Sequence, residues 1–160
     1  MIVNYKNTSS ITEDYFKSLC VARNPLESNY LHNVCAVMND LLGFDSEPIY
    51  PYTSYVYSSH TNMMTYYTNA VYSINNDYPV LSNVSTNSVY EPELGYDTDS
   101  HYVVLVGFYY DSTQNIYMAV LNDPHPVLDA VSQTILPLSS LYRFNVELER
   151  ASDHIGALAT

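Results

Sequence analysis

The chain has 160 residues, a length that suits one domain with a single buried core, and no apolar run is long enough to span a membrane. Seventeen acidic residues against five Lys and Arg give a net charge of −12, which disfavours nucleic acid and anionic membranes as partners and favours cationic peptides. Only 14% of the residues are charged while neutral polar residues abound, so we expect an extracellular or cell-surface protein.

Two helices are predicted in the first 43 residues. Ser10-Ile11-Thr12-Glu13 has the pattern of a capping box with Ser10 as the N-cap, and the helix that it opens is expected to end near Asn24. A second helix is predicted from about Ser28 to Leu42, with Gly43 as its C-cap. The apolar stripes are Ile11, Tyr15, Phe16, Leu19 and Cys20 on the first helix and Leu31, Val34, Cys35, Met38, Leu41 and Leu42 on the second. Both cysteines are therefore expected to be buried thiols, and a disulfide between them is the alternative.

The middle and the end of the chain add a third helix and several strands. Residues 44–60 are predicted to be a loop or a short extended segment, after which Thr61 is expected to cap a helix that ends near residues 75–77. The expected buried face of that helix is Met63, Tyr67, Ala70, Val71 and Ile74. A strand is predicted to begin at Tyr78-Pro79, residues 85–100 to form a long acidic loop, residues 131–136 a short strand and residues 137–142 a helical turn. Helices followed by a mostly antiparallel sheet make the predicted fold class α+β.

The most informative segment is a predicted β-hairpin. The apolar runs Ser100–Tyr109 and Tyr117–Pro124 are typical of paired strands, and the polar residues Asp111–Asn115 are long enough to turn between them. A hairpin brings its open ends together. His101, where the first strand begins, and Asn122-Asp123, where the second ends, are therefore expected within hydrogen-bond distance.

This hairpin, with His101-Tyr102-Val103-Val104-Leu105-Val106-Gly107 followed by Asn122-Asp123-Pro124, resembles the His and Asp half of the papain-like cysteine peptidases. The closest resemblance is to the C39-like family of extracellular bacterial enzymes, over about Asn4 to Tyr142. It implies a papain-like fold over one domain, 1–160, and hydrolysis of peptide bonds by a Cys-His-Asp mechanism without cofactor or metal. It also implies that His101 is the general base and that Asp123, the Asp of the Asp-Pro pair, is its orienter. Asn122 is the less favoured orienter, considered because papain has Asn in a similar place, and strand alternation allows only one of the two to face His101.

The nucleophile of such a mechanism is not evident in this chain. Met1-Ile2-Val3-Asn4-Tyr5 followed by Ser10–Glu13 is similar to the end of the family's nucleophile helix, so the nucleophilic Cys and its oxyanion Gln are expected upstream of Met1 and the domain is expected to be N-terminally incomplete. Cys35 is the candidate nucleophile within the chain. Its position in the middle of a packed helix lacks the helix N-terminus that lowers a thiol pKa, and Cys20, near the end of its helix, is less suited still.

Three functions remain open at this point. The first is a C39-like cysteine peptidase, and the second is a catalytically inactive peptide-binding protein of the same fold. The third, a transglutaminase-like acyl transferase, uses the same residue types, but the chain has no tryptophan for that family's Trp-bearing strand. The other histidines, His32, His60, His125 and His154, lack metal-ligand spacing and are expected to be solvated or locally bonded. Asp97-Thr98-Asp99 lacks the Gly and Glu of a calcium loop and is expected to add negative potential near His101.

Overall fold

A computed structural model describes residues 10–43, 52–55, 63–86, 94–125, 133–151 and 156–159. Along the chain these residues form α1 (Glu13–Arg23), α2 (Leu31–Leu42), β1 (Tyr52–Tyr55), α3 (Met63–Asn75), β2 (Val80–Thr86), β3 (Thr98–Asp111), β4 (Ile116–Asn122), β5 (Gln133–Pro137), α4 (Leu138–Ala151) and β6 (Gly156–Ala159). The strands form one sheet in the order β1-β6-β2-β3-β4-β5, and every neighbouring pair is antiparallel. The α+β class is confirmed. The predicted order of helices and then strands is wrong, because β1 precedes α3 and α4 follows β5.

Helix α2 agrees closely with its prediction. Gly43 ends it in the left-handed region at φ 78°, where glycine avoids the steric penalty of a Cβ atom, and its N–H donates to Asp40 O at 3.2 Å. The predicted stripe packs into the core, with Leu31, Cys35 and Met38 buried and Val34, Leu41 and Leu42 packed against them. Only the start differs, since the first helical turn begins at Leu31 rather than at Ser28.

Helix α1 begins later than its capping box suggests. The N-cap is Thr12 rather than Ser10, and the Thr12 Oγ1 atom accepts a hydrogen bond from the Tyr15 N–H at 3.2 Å. The prediction that Tyr15 is buried is also wrong, since 51% of this residue is exposed. Contacts with α2 hold the helix: buried Asn33 donates to the Cys20 carbonyl at 2.9 Å, and Arg23 forms an ion pair with Asp40.

Helix α3 ends where expected, and its predicted face is confirmed in part, since Ala70 is buried and Tyr67 and Ile74 pack against the core. Its buried residues are Tyr66, Ala70 and Ser73. Met63, predicted to be buried, is 41% exposed, because the helix is rotated so that the Tyr66 ring packs against Tyr142 of α4 at a centroid distance of 5.4 Å. The expected cap, Thr61, lies outside the described residues.

Alternation along β3 divides the interior into two cores. Val103 and Leu105 face a core that contains residues of α3 and α4. Val104, on the other face, packs with Leu31 and Met38 of α2. The sheet therefore lies between α1 and α2 on one side and α3 and α4 on the other. None of the described helices is both long enough and apolar enough to cross a membrane.

The predicted hairpin is present as β3 and β4. Asp111 stabilises the turn, because its Oδ1 atom accepts hydrogen bonds from the N–H groups of Thr113 at 2.8 Å and Gln114 at 3.2 Å. The predicted acidic loop is shorter than expected, since β2 extends to Thr86 and β3 begins at Thr98; residues 87–93 lie outside the described part. The strand predicted at 131–136 is β5, although residues 131–132 lie outside the described part. The helical turn predicted at 137–142 is the start of the longer α4. Strand β6 was not predicted.

Candidate functional site

The side chains of His101 and Asp123 meet at the open end of the hairpin. His101 Nε2 lies 2.8 Å from Asp123 Oδ1. Strand register explains this contact. Leu105 of β3 pairs with Leu121 of β4, so their side chains lie on the same face of the sheet. His101 is four residues before Leu105 and Asp123 is two residues after Leu121, and residues an even number apart on a strand share a face. His101 and Asp123 therefore both project from the face that α3 and α4 cover.

The same register separates Asn122 from His101. Asn122 stands opposite Val104, whose side chain packs on the α2 side of the sheet. Adjacent residues of an extended strand point to opposite faces, so Asn122 is directed away from the imidazole. Of the two predicted orienters, the structure brings only Asp123 to His101.

The carboxylate of Asp123 is fully enclosed and accepts three hydrogen bonds. Its side chain has no exposed surface, Oδ1 accepts from His101 Nε2 and from the His125 backbone N–H at 2.9 Å, and Oδ2 accepts from the Tyr96 hydroxyl. Burial raises the pKa of Asp123, but these hydrogen bonds and the adjacent imidazole outweigh it, and the net pKa is below the ordinary value. Asp123 is therefore ionised at neutral pH.

An ionised Asp123 determines the tautomer of His101. Because a carboxylate only accepts hydrogen bonds, His101 Nε2 must carry the proton that lies between the two groups. Within the described part of the chain, His101 Nδ1 has no hydrogen-bond partner, and 19% of the side chain is exposed. The ring thus offers a lone pair at Nδ1 to an incoming group, which is the arrangement that a general base requires.

Two further residues, Tyr96 and His125, complete the site. The Tyr96 ring stacks on His125 with a centroid distance of 3.8 Å and an interplanar angle of 7°. Both rings meet His101 edge-on, Tyr96 at 5.7 Å and His125 at 5.3 Å. Tyr96 was not predicted as a site residue, and His125 was expected only to be solvated or locally bonded, although the Asp123-Pro124-His125 order is typical of a turn in which Asp accepts the N–H two residues on.

Among the described residues, His32, Asp97 and Asp99 do not contact His101 or Asp123. His32 Nε2 lies 3.2 Å from Glu27 Oε2 at the surface, and His60 and His154 lie outside the described residues. Asp97 and Asp99 are exposed near the start of β3. Across the described ranges, no group of three or more His, Cys, Asp or Glu side chains is arranged to hold a metal ion.

Neither cysteine is near the imidazole. Cys35 is buried beside Leu31 and Met38 on the α2 side of the sheet, whereas His101 projects from the opposite side. Burial raises the pKa of Cys35 to about 12, so its thiol stays protonated at neutral pH. Cys20 is also buried, with a raised pKa, and both cysteines are free thiols. The structure does not bring the predicted nucleophile candidate to the predicted base.

Comparison with known proteins identifies the family of the chain. No curated protein and no solved structure matches the chain. A family model described as the Peptidase_C39 like family matches residues 1–144, which is most of the 160 residues. The chain therefore belongs to the Peptidase_C39 like family of cysteine peptidase domains.

Proposed function

We propose that this chain is a C39-like, papain-like cysteine peptidase domain in which His101 is the general base and Asp123 its orienter. The observation that supports the proposal is the 2.8 Å contact between His101 Nε2 and a carboxylate oxygen of fully buried Asp123. A buried charge is tolerated only when it is paired and hydrogen-bonded, so this carboxylate is held in one position. The imidazole that it orients keeps Nδ1 available for proton transfer.

The chemistry follows from these two groups. His101 Nδ1 takes the proton of a thiol, and the carboxylate of Asp123 stabilises the imidazolium that forms. The thiolate attacks the peptide carbonyl, and His101 then donates its proton to the leaving amine as the C–N bond breaks. In the second half of the cycle, His101 removes a proton from water, which hydrolyses the thioester and regenerates the thiol.

The thiol is the component for which this chain offers no suitable residue. Cys20 and Cys35 are its only two cysteines, and burial raises the pKa of both. They belong to α1 and α2, the helices on the side of the sheet opposite His101. We therefore propose that the nucleophile and its oxyanion-stabilising partner come from a segment outside these 160 residues. The alternative, an inactive peptide-binding protein of the same fold, is favoured by the same placement of the two cysteines.

Cleavage of a mixed peptide library tests both functions. The 160-residue chain should hydrolyse peptides no faster than its His101→Ala variant, because the base has no thiol to activate. The chain extended by the segment encoded upstream should show hydrolysis that alkylation and His101→Ala abolish, whereas His32→Ala, at a surface histidine, should leave it intact. An extended chain that binds peptides without cleaving them would instead support the inactive protein, and His101-dependent cleavage by the short chain would contradict the proposed position of the nucleophile.

The charge of the protein suggests the kind of peptide involved. The net charge is −12, and two exposed acidic residues precede His101: Asp97 just before β3 and Asp99 within it. Opposite charges steer association, so we propose that cationic peptides are preferred and that the protein acts outside the cell or at its surface. Binding of a Lys-rich peptide should weaken as salt is raised, and equal binding of a Glu-rich peptide of the same length would contradict this preference.

A further inference from the structure

We propose that Tyr96 is a positioning residue, which anchors the far oxygen of Asp123 so that the near oxygen stays directed at His101. This inference deepens the proposed function and rests on it for its catalytic meaning. The Tyr96 hydroxyl donates to Asp123 Oδ2, while His101 Nε2 and the His125 N–H both donate to Oδ1. Each carboxylate oxygen therefore has its own donors.

The division of donors matters because a carboxylate rotates easily about its terminal torsion. Without the hydroxyl, Oδ2 would be buried with no partner among the described residues, and rotation of the group would relieve that cost at the expense of the bond to His101. Burial and the adjacent carboxylate both raise the pKa of the Tyr96 hydroxyl. The phenol is consequently protonated at neutral pH, where Asp123 is ionised, and so remains a hydrogen-bond donor to it.

The backbone and the neighbouring rings hold Tyr96 itself in place. Gly95, at φ 83°, supplies the left-handed residue that turns the chain into the site just before Tyr96. The tyrosine is only 6% exposed, stacks on His125 and meets the His101 ring edge-on. One side chain thus fixes the carboxylate through its hydroxyl and restricts the plane of the imidazole through its ring.

The experiment compares Tyr96→Phe with Tyr102→Phe in the 160-residue chain, by NMR. Tyr102 is a suitable control because it immediately follows His101, faces the opposite core and also donates one hydrogen bond, to Asn29 O at 2.8 Å. Two quantities are measured: exchange of the His101 Nε2 proton with solvent, and the titration midpoint of the Asp123 carboxyl carbon. Among the described residues, the titratable side chains around this carboxyl are those of Tyr96 and His101, which bond to it, and of His125, whose ring lies against both.

In Tyr96→Phe we expect proton exchange at His101 Nε2 to be about tenfold faster, which corresponds to the loss of one charge-assisted hydrogen bond. The Asp123 midpoint should rise, because one of the hydrogen bonds that lower its pKa is gone. Tyr102→Phe should change neither quantity. Unchanged values in Tyr96→Phe, or equal changes in both variants, would overturn the inference.

A measurement on the unaltered chain guards against a variant that fails to fold. The Cζ resonance of Tyr96 should titrate with the same midpoint as the Asp123 carboxyl carbon, and separate midpoints would refute the anchoring bond. Neither readout requires hydrolysis. If the chain stays inactive when the upstream segment that carries the nucleophile is added, the proposed peptidase activity is refuted. The role of Tyr96 would then still be decided by the NMR measurements.

Discussion

Replacing Asp123 by Asn tests how strongly the buried carboxylate stabilises the fold. Asn keeps the size but removes the charge, and its amide group cannot accept hydrogen bonds from both the His101 and the Tyr96 side. Hydrogen bonds to charged groups contribute about 1.5 to 3 kcal/mol each. Asn can rearrange to retain some of the three hydrogen bonds that Asp123 accepts. We therefore expect the free energy of unfolding at neutral pH to fall by about 2 to 3 kcal/mol. The urea midpoint should then fall by about 1 M, for a slope of about 2 kcal/mol/M.

The pH dependence gives this prediction a second, independent check. The pKa of Asp123 is lower in the folded than in the unfolded chain, so the carboxylate stabilises the fold above the unfolded value and this contribution is lost as the pH falls through the folded one. The difference in stability between the wild-type protein and Asp123→Asn should therefore be largest at neutral pH. It should shrink as the pH falls below 3.8, the ordinary aspartate value.

Asp111→Asn is the matched control for this change. Asp111 also has a lowered pKa and accepts hydrogen bonds from the Thr113 and Gln114 N–H groups and the Gln114 side chain, but it lies at the surface. Solvent screens its charge, so its replacement should shift the urea midpoint less. Urea unfolding followed by circular dichroism at a series of pH values measures both variants. Equal losses in the two, or a difference for Asp123→Asn that does not change with pH, would refute the reasoning.

Two further predictions concern residues away from the His-Asp pair. Cys35 and Cys20 should resist iodoacetamide in the folded protein and react in urea, because burial raises the pKa of both thiols. Mass spectrometry measures the labelling, and rapid reaction of the folded protein would contradict the buried positions of the two cysteines. Asn39→Ala should lower the free energy of unfolding by about 2 to 4 kcal/mol, because it removes two buried hydrogen bonds with the Tyr52 backbone, at 2.9 and 3.1 Å. Asn76→Ala, at an exposed site, should be nearly neutral in the same denaturation assay, and a similar loss in both would show that the bonds to Tyr52 contribute little.

Local patterns predicted the parts of the fold and site that depend on local geometry. Helix α2 ends at Gly43 because only a residue tolerant of positive φ closes that turn, and such a signal is legible in the sequence. The hairpin likewise follows from two apolar runs and a polar turn. Strand alternation indicated that only one of Asn122 and Asp123 can face His101, and the register of β3 with β4 selects Asp123.

The parts that could not be predicted depend on contacts between distant segments. Tyr96 reaches Asp123 only because the turn before β3 packs against the end of β4, and no local pattern reports that contact. On α3, the exposure of Met63 and the burial of Tyr66 depend on the packing of Tyr66 against Tyr142 of α4, a contact that the apolar spacing of α3 does not report. At α1, Ser10 and Thr12 are both residue types favoured as caps, and only the structure shows that Thr12 accepts the hydrogen bond from the Tyr15 N–H.

The strand order has a consequence for the protein during its synthesis. Strand β6 lies between β1 and β2. Its Ala159 pairs with Tyr52 of β1, and its Ala157 pairs with Leu81 of β2. While the chain grows on the ribosome, the free edge of β2 must therefore remain unpaired until residues 156–159 have emerged. An open strand edge readily pairs with another chain, and pairings so distant in sequence form slowly. Nascent copies on one polysome are consequently exposed to mutual association, and a chaperone that shields β2 should raise the yield of native protein.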